Sequence, residues 1–284
     1  MLYSYTNLGA PFKVTEFHFH PDVASPLPPC ALPPAPNEIL GPDVHPLAGE
    51  KYIWPSIEDR ETSFSIQPGF IYHSVPCLGY VLQEAPLAGT IKPADYIPHL
   101  KRNAIALGVK NPMSLLSKLQ QGETLNLPDG TILTPPASRP GRKLVILGDT
   151  SDPAPMAAIA EGADVLVHEA TNTYFSDAEP GLDPQSFEEK TKSHGHSTSE
   201  MAGRFASKIG AKSLILNHFS PRYNSTDKDL MAAIAQRAAD ALGQQRPVLC
   251  AEDFMQVEVG SHQPFAIKGE FNSGETVLPH HSKA

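Results

Sequence analysis

Three short apolar segments of this 284-residue chain are each followed by residues that could bind a metal ion. The segments and the residues after them are 144–147 with Asp149, 165–167 with His168 and Glu169, and 214–216 with His218. Such segments predict buried strands, and open α/β sheets keep their chemistry at the carboxyl ends of the strands. Carboxylates and neutral imidazoles suit zinc, and two such ions can clamp a phosphodiester. The pattern predicts a metallohydrolase, although any one of these residues alone is more often a helix cap or a structural histidine.

Four longer motifs contain these residues and occur in a fixed order. They are Gly148-Asp149-Thr150, His168-Glu169-Ala170-Thr171, His196-Ser197-Thr198 and His218-Phe219-Ser220-Pro221-Arg222-Tyr223. Together they resemble tRNase Z (ribonuclease Z), the short form in particular, over about residues 11–257. These are zinc-dependent endoribonucleases of the metallo-β-lactamase fold that cut the 3′ trailer from precursor tRNA. The resemblance implies an α/β protein with a metallo-β-lactamase-like αββα sandwich, mainly its second half, and a helical arm that resembles the family's tRNA-binding exosite.

The resemblance also implies a set of metal ligands for two zinc ions. His73, in the segment His73-Ser-Val-Pro-Cys-Leu-Gly-Tyr80, would bind one zinc ion, and His218 the other. Asp149 would bridge both, because its two oxygens can each reach one cation.

Three more residues receive catalytic roles from the same motifs. His196 would supply the proton that assists departure of the 3′ oxygen, a task suited to imidazole because histidines titrate near neutral pH. His168 and Glu169 would hold His196 or a metal ligand in orientation. Arg222 could contact a phosphate, but an arginine after a strand is at least as often structural.

The family's other metal signature, His-x-His-x-Asp-His, is imitated by residues 17–23. Here Val23 stands where the last histidine belongs, and a proline-rich stretch follows where the family has a helix. Residues 11–16 align better with the family segment between this signature and the first ligand histidine. We therefore expect His18 and His20 to lie away from the site and the chain to begin after the metal-binding loop. We also expect the chain to bind zinc weakly and to cleave tRNA poorly or not at all. We also expect apolar strand residues to be left partly uncovered: Val145, Leu147, Leu214 and Leu216.

The predicted organisation is one domain, residues 1–258, followed by a disordered tail, 259–284. The domain includes a proline-rich insertion at 21–46 and the arm at 93–122, predicted as two helical pieces that are interrupted near Gly108 and Pro112. Ser197 and Glu200 fit a capping box at the start of a helix. Other expected elements are strands at 12–17, 63–72, 77–83, 164–168 and 213–216, a loop at 172–195, and helices at 154–161 and 227–242.

Composition narrows the class of protein. Three cysteines without paired spacing predict a reducing compartment, and we find neither a signal peptide nor a membrane span. A net charge of −9 argues against nucleic-acid binding, but residues 96–148 contain seven basic and two acidic side chains. This basic segment is either an RNA-binding surface or an ordinary solvated face.

Three functional hypotheses follow. The first is a tRNase Z-type endoribonuclease that acts on precursor tRNA in the cytoplasm, nucleus or mitochondrion. The resemblance implies zinc as its cofactor and allows a homodimer. The second is a non-catalytic relative or fragment that binds RNA or a partner. The third is a metallo-β-lactamase-fold hydrolase of a small ester or sulfate; the arm favours RNA over this substrate class.

Overall fold

A seven-stranded sheet is the centre of the molecule. The computed structural model describes residues 12–20, 22, 38–59, 63–109, 111–243, 246–260 and 266–267. The strands, in their spatial order, are β11 (Val248–Cys250), β10 (Leu214–Asn217), β9 (Val165–Glu169), β8 (Lys143–Leu147), β5 (Cys77–Glu84), β4 (Phe64–Ile71) and β3 (Ile57–Asp59). The strands predicted at 63–72, 77–83, 164–168 and 213–216 are therefore present.

The directions of these strands determine where their ends lie. Strands β8 to β11 run parallel, while β5 is antiparallel to both β8 and β4. It follows that β4 runs in the same direction as β8. The carboxyl ends of β4, β8, β9 and β10 thus share one edge of the sheet, which is where an open α/β sheet places its chemistry.

The helices lie outside the sheet, and α4, α6 and α7 cover one of its faces. Their bounds are α1 (Pro93–Arg102), α2 (Ala104–Leu107), α3 (Leu115–Gln120), α4 (Ala157–Ala160), α5 (Pro184–Ser193), α6 (Ser199–Lys208) and α7 (Lys228–Leu242). Helices α6 and α7 approach each other so closely that a Cβ added to Gly203 would lie 2.2 Å from the carbonyl oxygen of Ala238. Their buried side chains form one core with the sheet.

The two faces of the sheet differ in exposure. One row of paired residues crosses four strands, and all of its members are buried: Val81, Val145, Leu166 and Leu214. The expectation that Val145, Leu147, Leu214 and Leu216 would be uncovered is therefore wrong, since the pleat turns all four toward the helix-covered core. On the opposite face, Ile146 is 41% exposed.

The predicted arm has a small core of its own. Helices α1, α2 and α3 pack with the hairpin of β6 (Leu125–Asn126) and β7 (Ile132–Leu133). The buried side chains of this unit are Leu100, Leu119, Leu127 and Leu133. The helices break at Gly108, which has a φ of 62°, and resume in a 3₁₀ turn at Pro112–Ser114, where the sequence predicts the interruption.

Two further strand pairs lie outside the central sheet. Strand β1 (Phe12–Phe17) pairs in parallel with β2 (Glu38–Val44), so the proline-rich stretch predicted as an insertion contains a strand. In the predicted tail, β13 (Ala266–Ile267) pairs with β12 (Val257–Glu258); most of the tail lies outside the described residues.

Two local predictions around α5 and α6 are wrong. The predicted loop 172–195 contains α5, which Asp183 caps by accepting hydrogen bonds from the backbone N–H groups of Gln185 and Ser186. The cap of α6 is Thr198 rather than Ser197, because the Thr198 hydroxyl accepts the Met201 N–H. Within the described part of the chain, no helix combines the length and the apolar character that a bilayer crossing needs.

Candidate metal centre

Four histidine and aspartate side chains meet at the carboxyl edge of the sheet. Asp149 follows β8, His218 follows β10 and His73 follows β4, so the common direction of these strands brings all three to one place. His196 comes from the turn between α5 and α6. The prediction that His73, Asp149 and His218 converge with His196 close by agrees with this arrangement.

The tightest group consists of Asp149, His196 and His218. Each offers one ligand atom, and these atoms lie within 4.8 Å of one another. Nε2 of His218 lies 3.4 Å from Oδ2 of Asp149, and the His196 and His218 rings stack with centroids 5.4 Å apart. One carboxylate and two imidazoles form a nitrogen and oxygen donor set that suits Zn²⁺. The residues present therefore fit a zinc ion.

His218 reaches this group through an uncommon backbone conformation. Its φ is 55°, in the left-handed region that residues with a Cβ rarely adopt. Such a conformation costs about 1–3 kcal/mol and is found mainly at functional sites. The strain turns the chain directly after β10.

His73 stands on the far side of His196 from His218. Its ring centroid lies 5.1 Å from that of His196, and its Nδ1 donates to the carbonyl oxygen of Gly195 at 2.7 Å. The other nitrogen, Nε2, lies 3.3 Å from the Ser74 hydroxyl oxygen and is the atom left for a metal ion. His73 thus borders the tight group, and its role as a ligand stays a prediction.

Glu169 is buried behind His196. It is 1% exposed, and its Oε1 lies 3.0 Å from Nδ1 of His196. The same carboxylate accepts hydrogen bonds from the Thr150 N–H at 2.7 Å and from the Thr171 N–H and hydroxyl at 3.2 and 2.5 Å. Because Nδ1 faces the carboxylate, Nε2 of His196 faces the metal ligands. This geometry matches the orienting role predicted for Glu169.

His168 does not reach the site. It is fully buried, its Nδ1 donates to the carbonyl oxygen of Glu169, and its ring meets the edge of Phe205 6.0 Å away in α6. Successive residues of a strand point to opposite faces, and His168 shares the core face with Leu166. Burial lowers the pKa of His168, so the imidazole is neutral. The structure places His168 in the core and gives it no contact through which to orient His196.

Two residues without a predicted role complete the framework of the site. The hydroxyl of Ser197 donates to the carbonyl oxygen of Thr150 at 2.5 Å, which joins the His196 turn to the loop after β8. The Thr171 hydroxyl lies 3.3 Å from Nδ1 of His196, beside Glu169. Both belong to the motifs given above, but the sequence does not show which partner a hydroxyl binds.

Arg222 has a structural environment. Its guanidinium pairs with Glu179 at 2.6 Å and lies over the rings of Phe187 and Tyr223. The Tyr223 hydroxyl in turn accepts the Thr173 N–H at 2.8 Å. These contacts connect the segment after β10 to α5 and engage the guanidinium of Arg222. A structural role for Arg222 is therefore favoured over phosphate binding.

The two histidines of the imitated signature lie elsewhere. His18 stacks on His45 with centroids 4.8 Å apart, and Nδ1 of His20 accepts the N–H of Asp22. His20 lines a cavity of about 370 Å³ together with Phe19 and residues 45–51. Neither imidazole belongs to the group around Asp149, as expected from the sequence.

Comparison with known proteins identifies relatives of one family. The chain is 34% identical over 207 residues to ribonuclease BN of Enterobacter sp. (strain 638). This match covers 70% of this chain and 58% of the relative. It is 32% identical over 200 residues to ribonuclease Z of Streptococcus sanguinis (strain SK36), and this match covers 69% of this chain and 56% of the relative. The chain thus spans somewhat more than half the length of these curated relatives. No family model matches the sequence.

Solved structures overlap with this chain more weakly. Human tRNase Z, short form, is 22% identical with a TM-score of 0.42, covering 85% of this chain and 54% of that one. The metallo-β-lactamase fold protein YhfI from Bacillus subtilis is 16% identical with a TM-score of 0.38, and the overlap covers 70% of this chain and 49% of YhfI. Such scores reflect partial overlap, and the assignment rests on the sequence relatives. The identity to these relatives over some 200 residues shows that the chain is a ribonuclease Z-like protein.

Proposed function

We propose that this chain carries the site of a metal-dependent endoribonuclease that removes the 3′ trailer of precursor tRNA inside the cell. The observation that carries the proposal is the pairing of a zinc-type donor group, Asp149 and His218, with an imidazole oriented by a buried carboxylate, His196 and Glu169. Relatives named ribonuclease Z and ribonuclease BN support RNA as the substrate.

Asp149, His218 and His73 would hold the metal. When bound, zinc supplies positive charge beside the scissile phosphate and so stabilises the charge that develops on its oxygens. Asp149 and His218 are close enough to hold one ion, and His196, the third member of the tight group, keeps its Nε2 for a proton. A second ion is part of the proposal, and Asp149 and His73 would hold it.

His196 is the proton donor in this mechanism. Water attacks the phosphorus, the bond from phosphorus to the 3′ oxygen breaks, and Nε2 of the protonated His196 gives its proton to that oxygen. One proton of the water stays on the new 5′ phosphate, and the other is released to the solvent, from which His196 is protonated again. The tRNA then ends in a 3′ hydroxyl and the trailer begins with a 5′ phosphate. Glu169 stabilises the protonated imidazole through Nδ1, and its own burial and three hydrogen bonds from Thr150 and Thr171 keep the carboxylate in place.

The arm supports tRNA as the substrate class. Its separate small core makes it a unit that can contact RNA away from the cleavage site. Lys101 and Arg102 lie exposed in the last turn of α1, although Arg102 pairs with Asp129 at 2.9 Å. We propose the arm as the tRNA-binding surface, where phosphate contacts give affinity without sequence specificity.

Trailer cleavage by the purified chain tests the proposal. A precursor tRNA with a labelled 3′ trailer is incubated with Zn²⁺ or Mn²⁺, and mature tRNA without a trailer serves as the substrate control. We expect a single cut that Asp149→Asn and His218→Asn abolish, whereas the exposed Asp177→Asn leaves it intact. RNA binding without cleavage by the unchanged chain would support the non-catalytic hypothesis instead. Hydrolysis of a small ester without action on RNA would support the third hypothesis.

A further inference from the structure

Gly195 lies between the end of α5 and His196, and its carbonyl group faces His73. Nδ1 of His73 is 2.7 Å from this oxygen. A carbonyl oxygen only accepts hydrogen bonds, so the neutral His73 must carry its proton on Nδ1. The lone pair is then on Nε2. The hydrogen bond therefore selects the nitrogen of His73 that can bind a metal ion.

No side chain fits at position 195 in this arrangement. A Cβ built on Gly195 would lie 2.6 Å from Nδ1 of His73, 3.0 Å from its Cε1 and 2.9 Å from the backbone nitrogen of Ser74. Real Cβ atoms do not approach other heavy atoms so closely. The absence of a Cβ thus allows the His73 ring to lie directly against the backbone at this position.

Ending a helix is the ordinary role for such a glycine, and Gly195 has that role as well. Its φ is 88°, and its N–H donates to the carbonyl oxygen of Lys192 at the end of α5. Gly210 does the same after α6, with a φ of 66° and an N–H that donates to Ser207. A Cβ at Gly210, however, would meet nothing within 4 Å. The two glycines share the conformation and differ in the contact with a histidine.

We propose that Gly195 is a positioning residue: its carbonyl sets the tautomer and ring orientation of His73, and its backbone leads directly into His196. The end of α5 then aligns two of the three neighbouring imidazoles at once, since the ring centroids of His73 and His196 are 5.1 Å apart. This inference rests on the proposed metal centre. Partners that orient a metal-binding histidine through its other nitrogen typically contribute ~10 to 100-fold to metal affinity.

The test compares Gly195→Ala with Gly210→Ala. Both substitutions place an alanine at a positive φ after a helix, so both carry the same kind of backbone strain. We measure Zn²⁺ affinity of the metal-free proteins by competition with a chromophoric chelator. Gly195→Ala is expected to bind Zn²⁺ ~10 to 100-fold more weakly than the unchanged chain, and Gly210→Ala to bind it equally well.

Two affinity results would overturn the inference: unchanged Zn²⁺ binding by Gly195→Ala, or an equal loss in both variants, which would reflect helix ending alone. A second measurement does not require metal or a folded variant. Nitrogen-15 spectra of the unchanged, metal-free chain report which nitrogen of His73 carries the proton. A proton on Nδ1 supports the inference and a proton on Nε2 overturns it, whether or not the chain binds Zn²⁺ or cleaves RNA.

Discussion

Oε1 of the buried Glu169 lies 3.0 Å from Nδ1 of His196, and His196 turns its other nitrogen toward Asp149 and His218. This pair joins a residue at the end of a strand to one that precedes a helix, 27 positions later. The carboxylate both selects the tautomer of the imidazole and compensates its positive charge after protonation. The proposed proton donor therefore depends on a residue that itself never meets the substrate.

Replacing Glu169 with glutamine should reduce trailer cleavage more than metal binding. The amide keeps the shape but loses the charge, and its NH₂ group would oppose one of the donors that now face the carboxylate, such as the Thr150 N–H. We expect a decrease in cleavage rate of ~10² to 10⁴-fold, the range typical of general acid catalysis. Zinc affinity should change little, because the metal-site residue that Glu169 orients is His196, which is the proposed proton donor and not one of the proposed ligands Asp149, His218 and His73.

Single-turnover cleavage and Zn²⁺ titration measure the two effects separately. Glu161→Gln, an exposed substitution, is the matched control. If Glu169→Gln cleaves at the normal rate in a folded protein, His196 does not act through this carboxylate.

Removing both histidines of the imitated signature should leave the metal centre intact. His18 contacts His45 and His20 contacts Asp22, away from Asp149. We expect the His18→Gln, His20→Gln double variant to bind Zn²⁺ as tightly as the unchanged chain, in the same titration in which His218→Asn loses binding. A loss of affinity in the double variant that equals the loss in His218→Asn would show that the signature is functional.

The sequence predicts the sheet and the strand ends well, for a physical reason. Short apolar runs rich in Val, Ile and Leu with a polar residue after them favour buried strands that deliver that residue to the sheet edge, which places Asp149 and His218 correctly. Helix α5 was missed because its segment is polar and follows glycine and proline. Its signal was local: Asp183 before Pro184 is a cap followed by a proline at the first helical position.

Finer details of the site depend on packing that no local pattern contains. His168 and Glu169 are neighbours in one motif, yet the pleat of β9 sends only Glu169 to the site. The role of Gly195 depends on contact with a ring 122 positions earlier. The cap of α6 at Thr198 instead of Ser197 follows from the hydrogen bond that Ser197 makes to Thr150.

An ion pair between the buried Glu84 and the partly exposed Arg142 should be a major stabilising contact of the central sheet. Glu84 is 8% exposed and accepts hydrogen bonds from Nε and Nη2 of Arg142 at 2.7 and 2.6 Å. Arg142 also donates to the carbonyl oxygen of Val259, which ties the C-terminal segment to the sheet. We expect Glu84→Gln to lower the free energy of unfolding by ~1–3 kcal/mol, because it leaves a cation with weaker partners.

Urea unfolding at pH 7 measures this loss, with Glu123→Gln as the control. Glu123 pairs with Lys118 at 3.8 Å on the surface, where such pairs contribute ~0–1 kcal/mol. Hydrogen bonding by Arg142 lowers the pKa of Glu84. Its stabilisation is therefore present above the unfolded pKa of ~4.3 and is lost as the pH falls through the folded value. Equal effects of the two substitutions would contradict a special role for the buried pair.

His168 should make the protein sensitive to mild acid. Burial lowers its pKa in the folded state, while in the unfolded chain it titrates near ~6.5. At pH 8 both states are neutral and no proton is exchanged. Below about pH 6.5 the unfolded chain takes up a proton that the folded protein excludes, so the free energy of unfolding falls by at most ~1.4 kcal/mol per pH unit from this residue.

His168→Leu should remove this part of the acid sensitivity. Leucine suits the apolar surroundings near Phe205, and it eliminates Nε2, which is buried without a hydrogen-bond partner in the described structure. The lost hydrogen bond to the Glu169 carbonyl costs ~1 kcal/mol at pH 8. Urea unfolding between pH 8 and 5.5 should therefore give a flatter curve for His168→Leu than for the control His99→Leu, which replaces a partly exposed histidine. At pH 8 the variant should still bind Zn²⁺ and cleave RNA as the unchanged chain does, because the ring bonds only the backbone carbonyl of Glu169, whereas the side chain of Glu169 contacts His196. A folded His168→Leu protein that keeps the full pH slope but loses cleavage would restore the orienting role that the motif suggested for His168.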